Sequence, residues 1–221
     1  KEAGATAAST PIERGAEIEA TDESGARLQF RVEATELDPR VPDGSVTLYT
    51  LSVRNIGETE YRPYCERDAD GRAAAIPVSG SWDATGAFHE APGVSTFACT
   101  NGAIGKCIRF GYQPWKSAGG RSLGEHHRAC VRMVRADYCG DGVSHTKNGT
   151  LIDLWDEVGV QKPEKVSAHP EVFEAAWSPD GAAYLAIPRW SDDVREIVKQ
   201  CPERLRGRTS LDQVLAPERV S

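Results

Sequence analysis

The sequence predicts a disulfide-stabilised α+β protein in which short antiparallel β-strands dominate, with two helices at about 122–136 and 191–201. Three observations carry that reading. Apolar residues alternate with polar ones along several short runs, the two-residue period of half-buried strands. Two later segments space their apolar residues by three and four, the period of an amphipathic helix. Six cysteines, an even number, lie among glycine-rich turns, which suits two or three disulfides in an oxidising compartment.

In chain order, residues 1–24 are rich in Ala, Glu, Thr and Gly without a core-forming period, and read as a tail or linker. Leu28, Phe30, Val32 and Ala34 then alternate as a strand. Asp38-Pro39 and Pro42-Asp43-Gly44 are turn chemistry, and Val46 to Val53 is a run of β-formers that Asn55-Ile56-Gly57 ends. This pair predicts an antiparallel hairpin. A third strand is expected through Ala75-Ile76-Pro77-Val78, at a sheet edge because Pro77 has no N–H to donate. Ser95 to Cys99 reads as a strand and Asn101-Gly102 as a turn; Ile104, Ile108 and Phe110 begin an apolar stretch that ends at Pro114-Trp115.

Ser122 is placed to cap the first helix. Leu123, His127, Cys130, Val131 and Val134 form its apolar face; Arg121, Glu125, Arg128, Arg132 and Arg135 fall opposite, and Gly140 and Gly142 break the chain. Phe173, Ala175 and Trp177 alternate before the turn Ser178-Pro179-Asp180-Gly181, and Tyr184, Ala186 and Ile187 mark a returning strand. Ser191 caps the last helix, Val194, Ile197, Val198 and Cys201 make its stripe, and Pro202 stops it.

Composition narrows the function classes. A chain of 221 residues builds one large domain or two small ones, and 39% hydrophobic with 27% charged residues is a globular balance. A net charge of −7 argues against nucleic-acid binding. No apolar run approaches the roughly 18–20 residues that span a bilayer, so no transmembrane segment is expected. The chain begins at Lys1 with neither Met nor an apolar signal region, and reads as a mature or trimmed product with the signal segment absent from this chain.

The block His127 to Gly142 contains the tetrapeptide Ala136-Asp137-Tyr138-Cys139. It resembles the signature of the ADYC-domain family, a group of bacterial envelope or secreted proteins. Further segments resemble that family in its order: Gly80 to Asp83, Phe97 to Cys107, Gly111 to Trp115, Asn148 to Asp156 and Phe173 to Trp177. The likeness spans about residues 60–190. It implies a secreted or cell-envelope location (periplasm or outer surface) and an architecture, and it brings no activity with it. Family members often carry a cysteine in the strand after the Ser178–Gly181 turn; here that strand reads Ala182-Ala183-Tyr184, so no disulfide map carries over. The organisation read from all this is a 1–24 tail, a β-rich part at 25–92, an ADYC-type block at 93–202 and a C-terminal tail at 203–221.

The disulfide candidates are Cys65, Cys99, Cys107, Cys130, Cys139 and Cys201, which allow 15 pairings. Cys99 and Cys107 flank a glycine-rich turn and could close a hairpin. Cys130 could meet Cys139 only if the chain turns sharply back, and a Cys107–Cys130 bridge is at least as favoured. Cys201 has Cys65 as one candidate long-range partner. A second chemistry makes Cys130 or Cys139 a nucleophile with His126, His127 or His145 as base. Against it, Cys130 and His127 share the inward face, where thiols usually pack or bridge. A zinc site from His127, Cys130 and Cys139 lacks paired ligand turns, so no metal and no cofactor is expected.

Residues 106–135 hold seven Lys and Arg against one Glu. Arg121, Arg128, Arg132 and Arg135 thus present either a surface for an anionic partner or a set of internal pairs with Asp137, Asp141, Asp153 and Asp156; the internal pairs are favoured because a planar guanidinium suits bidentate pairing. Asp68-Ala69-Asp70-Gly71 starts like a calcium loop but has Ser79 at position 12, so a plain turn is the better reading. The five tryptophans serve as core anchors or as a glycan-binding surface.

The resulting expectation is a non-catalytic structural or binding module of a bacterial cell surface or extracellular assembly. Its expected partners are further copies of itself, another envelope protein or an anionic envelope polymer. The alternative is a thiol-dependent hydrolase or transferase using the Cys/His pair.

Overall fold

A computed structural model describes residues 12–163, 173–186, 188–189, 197 and 199–201, apart from 23, 84 and 148. In chain order the elements are β1 (Glu17–Thr21), β2 (Arg27–Leu37), β3 (Thr47–Asn55), β4 (Arg62–Pro63), β5 (Ala75–Ser79), β6 (Ser81–Trp82), β7 (Phe88–His89), β8 (Ser95–Cys99), α1 (Ala103–Arg109), β9 (Ser117–Ala118), β10 (Arg121–Ser122), α2 (Gly124–Arg135), β11 (Ala175–Ser178) and β12 (Gly181–Leu185). The fold is α+β, with many short antiparallel strands and three disulfides, as the sequence predicts. The chain separates into two compact units, one of residues 1–76 and 97–101, the other of 77–96 and 102–221. This division differs from a single cut near 92, because the chain returns to the first unit through 97–101.

The first unit is built on a sheet of order β1-β2-β3-β5-β8, with β4 also paired to β3. The β2–β3 hairpin forms as the alternation predicts, with Phe30 opposite Val53 and Val32 opposite Leu51. Phe30, Val32, Tyr49, Leu51, Val53 and Ala75 form the core with Cys65. On the other sheet face the guanidinium groups of Arg31 and Arg54 lie 4.2 and 4.7 Å from the centroid of the Tyr61 ring. Cys65 and Cys99 join across this core, with Cα atoms 5.5 Å apart.

Two corrections arise here. Residues 17–21, read as tail, form β1, which pairs with β2 along its whole length. Ile18 and Ala20 alternate with Glu17, Glu19 and Thr21, and that short period is the signal the tail-like composition obscured. Strand β5 is not an edge, since it lies between β3 and β8. Its register with β3 is the single pair Tyr49↔Ala75, so Pro77 falls beyond it and its missing N–H costs that ladder nothing.

The calcium-like run is a plain turn. Asp68 Oδ1 accepts the N–H groups of Asp70 and Arg72, its Oδ2 accepts the Thr100 hydroxyl, and Asp70 pairs with Arg40 at 2.6 Å.

The second unit packs α1 against α2 through Cys107–Cys130, with Trp82, Tyr112, Val131 and Met133 around the bridge. Helix α1 was not expected; the Asn101-Gly102 signal read as a hairpin turn, whereas Gly102 is the residue that precedes the helix. Ile104, Cys107 and Ile108 stand at helical spacing, and Cys107 and Ile108 are fully buried. Cys107 therefore faces Cys130, one of the pairings the sequence left open, and the alternative Cys99–Cys107 hairpin bridge does not form. Helix α2 covers the expected segment but starts one residue later than Ser122 would set it: Leu123 is the N-cap residue, and Ser122 Oγ accepts the Gly124 N–H at 3.2 Å.

The β11–β12 hairpin closes at the Ser178–Gly181 turn. Of the last expected helix, Ile197, Lys199 and Gln200 are helical, Cys201 follows them as a bend, and residues 191–196 and 198 lie outside the described residues, as do Trp190 and residues 203–221. Cys201 bonds Cys139, not Cys65. No helix among the described residues is long and apolar enough to cross a membrane.

Candidate functional site

The signature tetrapeptide follows the last turn of α2. Ala136 carries φ 50°, and its N–H donates to Met133 O while the Asp137 N–H donates to Arg132 O. That pair of bonds, three and five residues back, is the Schellman stop of a helix. The helix thus ends at alanine, before the glycines expected to break it. A left-handed alanine costs about 1–2 kcal/mol. Its fully buried methyl offsets about 0.8 kcal/mol of that.

The stop aims three side chains into the protein. Asp137 is fully buried; its Oδ2 accepts Arg132 Nη1 at 2.5 Å and the Gly142 N–H at 3.1 Å. Arg132, 5% exposed, also donates to Thr85 O and Pro179 O. Tyr138 stacks on Trp177 at 5.3 Å, donates its hydroxyl to Glu174 at 2.6 Å and accepts the Arg189 N–H at 2.6 Å. Burial first, then the Glu174 carboxylate, pushes the Tyr138 hydroxyl far above its ordinary pKa. Arg189 bonds Glu174, Thr146 and the Met133 carbonyl near the helix end. Cys139 is bridged to Cys201.

Gly142 is fixed by the same arrangement. Its φ is +87°, and a Cβ there would sit 2.4 Å from Thr85 Cβ and 2.5 Å from Thr85 Cα. Gly142→Ala is therefore expected to destabilise the protein by more than about 2 kcal/mol, combining backbone strain with overpacking against main chain. Thermal unfolding of the variant checks this.

The basic stripe resolves into individual roles. Arg132 points inward to Asp137, the internal pairing favoured from sequence. Arg135 donates to the Gly142 carbonyl at 2.6 Å. Arg121 pairs with Glu157 at 3.3 Å. Arg128 lies over the Phe88 ring at 5.3 Å. Asp156 holds its own loop: its carboxylate accepts the N–H groups of Val158, Val160 and Gln161 and the Tyr112 hydroxyl. Burial works to raise its pKa, but those donors outweigh it and leave the carboxyl below the usual range.

The Cys/His reading fails on bonding. Cys130 and Cys139 are both in disulfides, and none of the six cysteines is free. A bridged sulfur is neither a nucleophile nor a thiolate ligand. Among the described residues no group of three His, Cys, Asp or Glu is placed to hold a metal. The candidate bases have other surroundings. His126 stacks on Tyr112 and meets Glu157 at 3.3 Å, and His145 tilts against Tyr138.

His127 is fully buried, and its Nε2–H donates to Ile104 O at 3.1 Å, so Nδ1 carries no proton. Burial lowers its pKa to about 4 against the opposing bond to Ile104. The unfolded chain takes up this proton near pH 6.5 and the folded protein only near 4. Stability is thus expected in full above pH 6.5 and to fall through that window by roughly 3 kcal/mol. Urea titrations at stepped pH check it, with His127→Gln flattening the profile.

These features define a disulfide-braced α+β protein whose signature turn is committed to internal bonds. The model of the ADYC domain family matches residues 14–191, most of the chain, and the protein belongs to that family. No curated protein and no solved structure matches it.

Glu174 and Arg189 were missed from sequence. Glu174 lay inside a segment noted for family likeness, but nothing in its spacing indicated a bond to Tyr138. Arg189 stands alone after Pro188 and gives no pattern at all.

Proposed function

We propose that this chain is a non-catalytic structural or binding module of a bacterial cell surface or extracellular assembly, working in the periplasm or outside the cell. The observation that supports it most is the pairing of all six cysteines. Three bridges in one chain fit an oxidising compartment and leave no thiol for chemistry. Arg132 with Asp137, and Tyr138 with Glu174 and Arg189, bond one another around the signature turn, which is how a scaffold is held rigid. Its partners are then copies of itself, another envelope protein or an anionic envelope polymer. Light scattering and co-sedimentation with isolated envelope polysaccharide test the reading. Self-association or polymer binding is expected; a strict monomer with no affinity for envelope polymers contradicts it.

A further inference from the structure

Within the second unit, a cleft of about 240 Å³ opens beside the first turn of α2. Trp82, Phe88 and Trp115 line it together with Gly124, His127 and Arg128. Trp115 is 41% exposed, whereas Trp82 and His127 are buried in the wall. We propose that this cleft binds one carboxylate-bearing pyranose, a hexuronate unit at the end or on a branch of an acidic polysaccharide. The proposal rests on the binding-module reading and names its ligand.

Four features select that chemistry. A pyranose presents a face of C–H bonds, electropositive and apolar, to the electron-rich faces of indole and phenyl rings. Arg128 supplies a fork of donors suited to a carboxylate. Its guanidinium rests over Phe88, and no carboxylate pairs with it among the described residues. The amino-terminal end of α2, at Gly124, adds positive potential on the same side. A single guanidinium matches a carboxylate's one charge better than a phosphate, which carries close to two.

Trp82 and His127 back the cleft from its buried side, so the contacts open to a ligand are those of Trp115, Phe88 and Arg128. Size excludes larger occupants: pockets for drug-sized ligands run from about 300 Å³ upward, so this one admits a single ring. A peptide in extended form would need a strand edge, and a lipid chain a longer groove.

The test titrates the full chain with a galacturonate trisaccharide and with the neutral galactose trisaccharide, reading tryptophan emission. Saturable binding of the acidic sugar is expected, with the neutral one at least about tenfold weaker. Trp115→Ala and Arg128→Gln should each weaken binding about tenfold or more. Far-UV circular dichroism establishes that the variants fold, and the exposed position of Trp115 makes loss of fold there unexpected. No binding to the wild-type protein, or unchanged affinity in both variants, overturns the proposal. If whole envelope polymer still co-sediments with both variants as with the wild type, the cleft assignment fails while the binding-module reading stands.

Discussion

Replacing Asp137 with alanine is expected to destabilise the second unit by about 3–5 kcal/mol, the usual cost of leaving a buried charge unpaired. Arg132 is 7% exposed in its side chain and Asp137 fully buried, so water cannot replace the lost partner. The substitution also strips the Gly142 N–H of its acceptor. Asp137→Asn should lose less, since its amide oxygen can still accept one of these bonds. The pairing itself is isolated by a double-mutant cycle with Arg132→Met. The double variant is expected to be clearly more stable than the sum of the two losses, because no lone buried charge remains. Tryptophan emission during urea unfolding measures this, since the four tryptophans among the described residues fall within the second unit. Additive losses would show that Arg132 and Asp137 act independently.

Removal of the Cys139–Cys201 bridge by a double alanine substitution has the next largest expected effect. The two residues are 62 apart in sequence, the longest separation of the three bridges. Loop-closure entropy gives a loss of about 4 kcal/mol, against about 3 kcal/mol for Cys107–Cys130 at a separation of 23. The bridge holds Cys139 against Ile197 and Ala182 in one small core. The same emission-detected unfolding ranks the two variants. A smaller loss for Cys139–Cys201 than for Cys107–Cys130 would show that native packing, not chain restriction, sets the value of these bonds.

Local periodicity made much of the fold legible. The β2–β3 and β11–β12 hairpins and helix α2 all stood in the spacing of apolar residues, because each buries one face and the burial writes a period. Helix α1 was hidden by its shortness: seven residues give two turns, and Asn101-Gly102 favours a hairpin. Strand β1 was hidden by composition, as only Ile18 and Ala20 carry its inward face. The bridges were legible in number but only in part as pairs. Cys107–Cys130 joins neighbouring helices, whereas Cys65–Cys99 and Cys139–Cys201 depend on where distant segments meet.

The candidate site divides along the same line. Asp137 was among the expected carboxylate partners, but a helical wheel placed Arg132 outward. The wheel omits what happens after the last turn. The chain reverses at Ala136 and brings Asp137 back over the helix, and the long Arg132 side chain turns inward to meet it. The family signature then has a physical reading: Ala136 sets the left-handed stop, Asp137 neutralises Arg132, Tyr138 ties to Glu174 and Arg189, and Cys139 bonds Cys201. Each residue type answers to a bond within the protein.

The most direct test of this account is mass spectrometry of the native protein, unfolded without reductant in the presence of an alkylating reagent and then mapped by peptide. No labelled cysteine is expected, with peptides linked as Cys65–Cys99, Cys107–Cys130 and Cys139–Cys201. A labelled thiol at Cys130 or Cys139 would contradict the account and return the Cys/His chemistry to consideration.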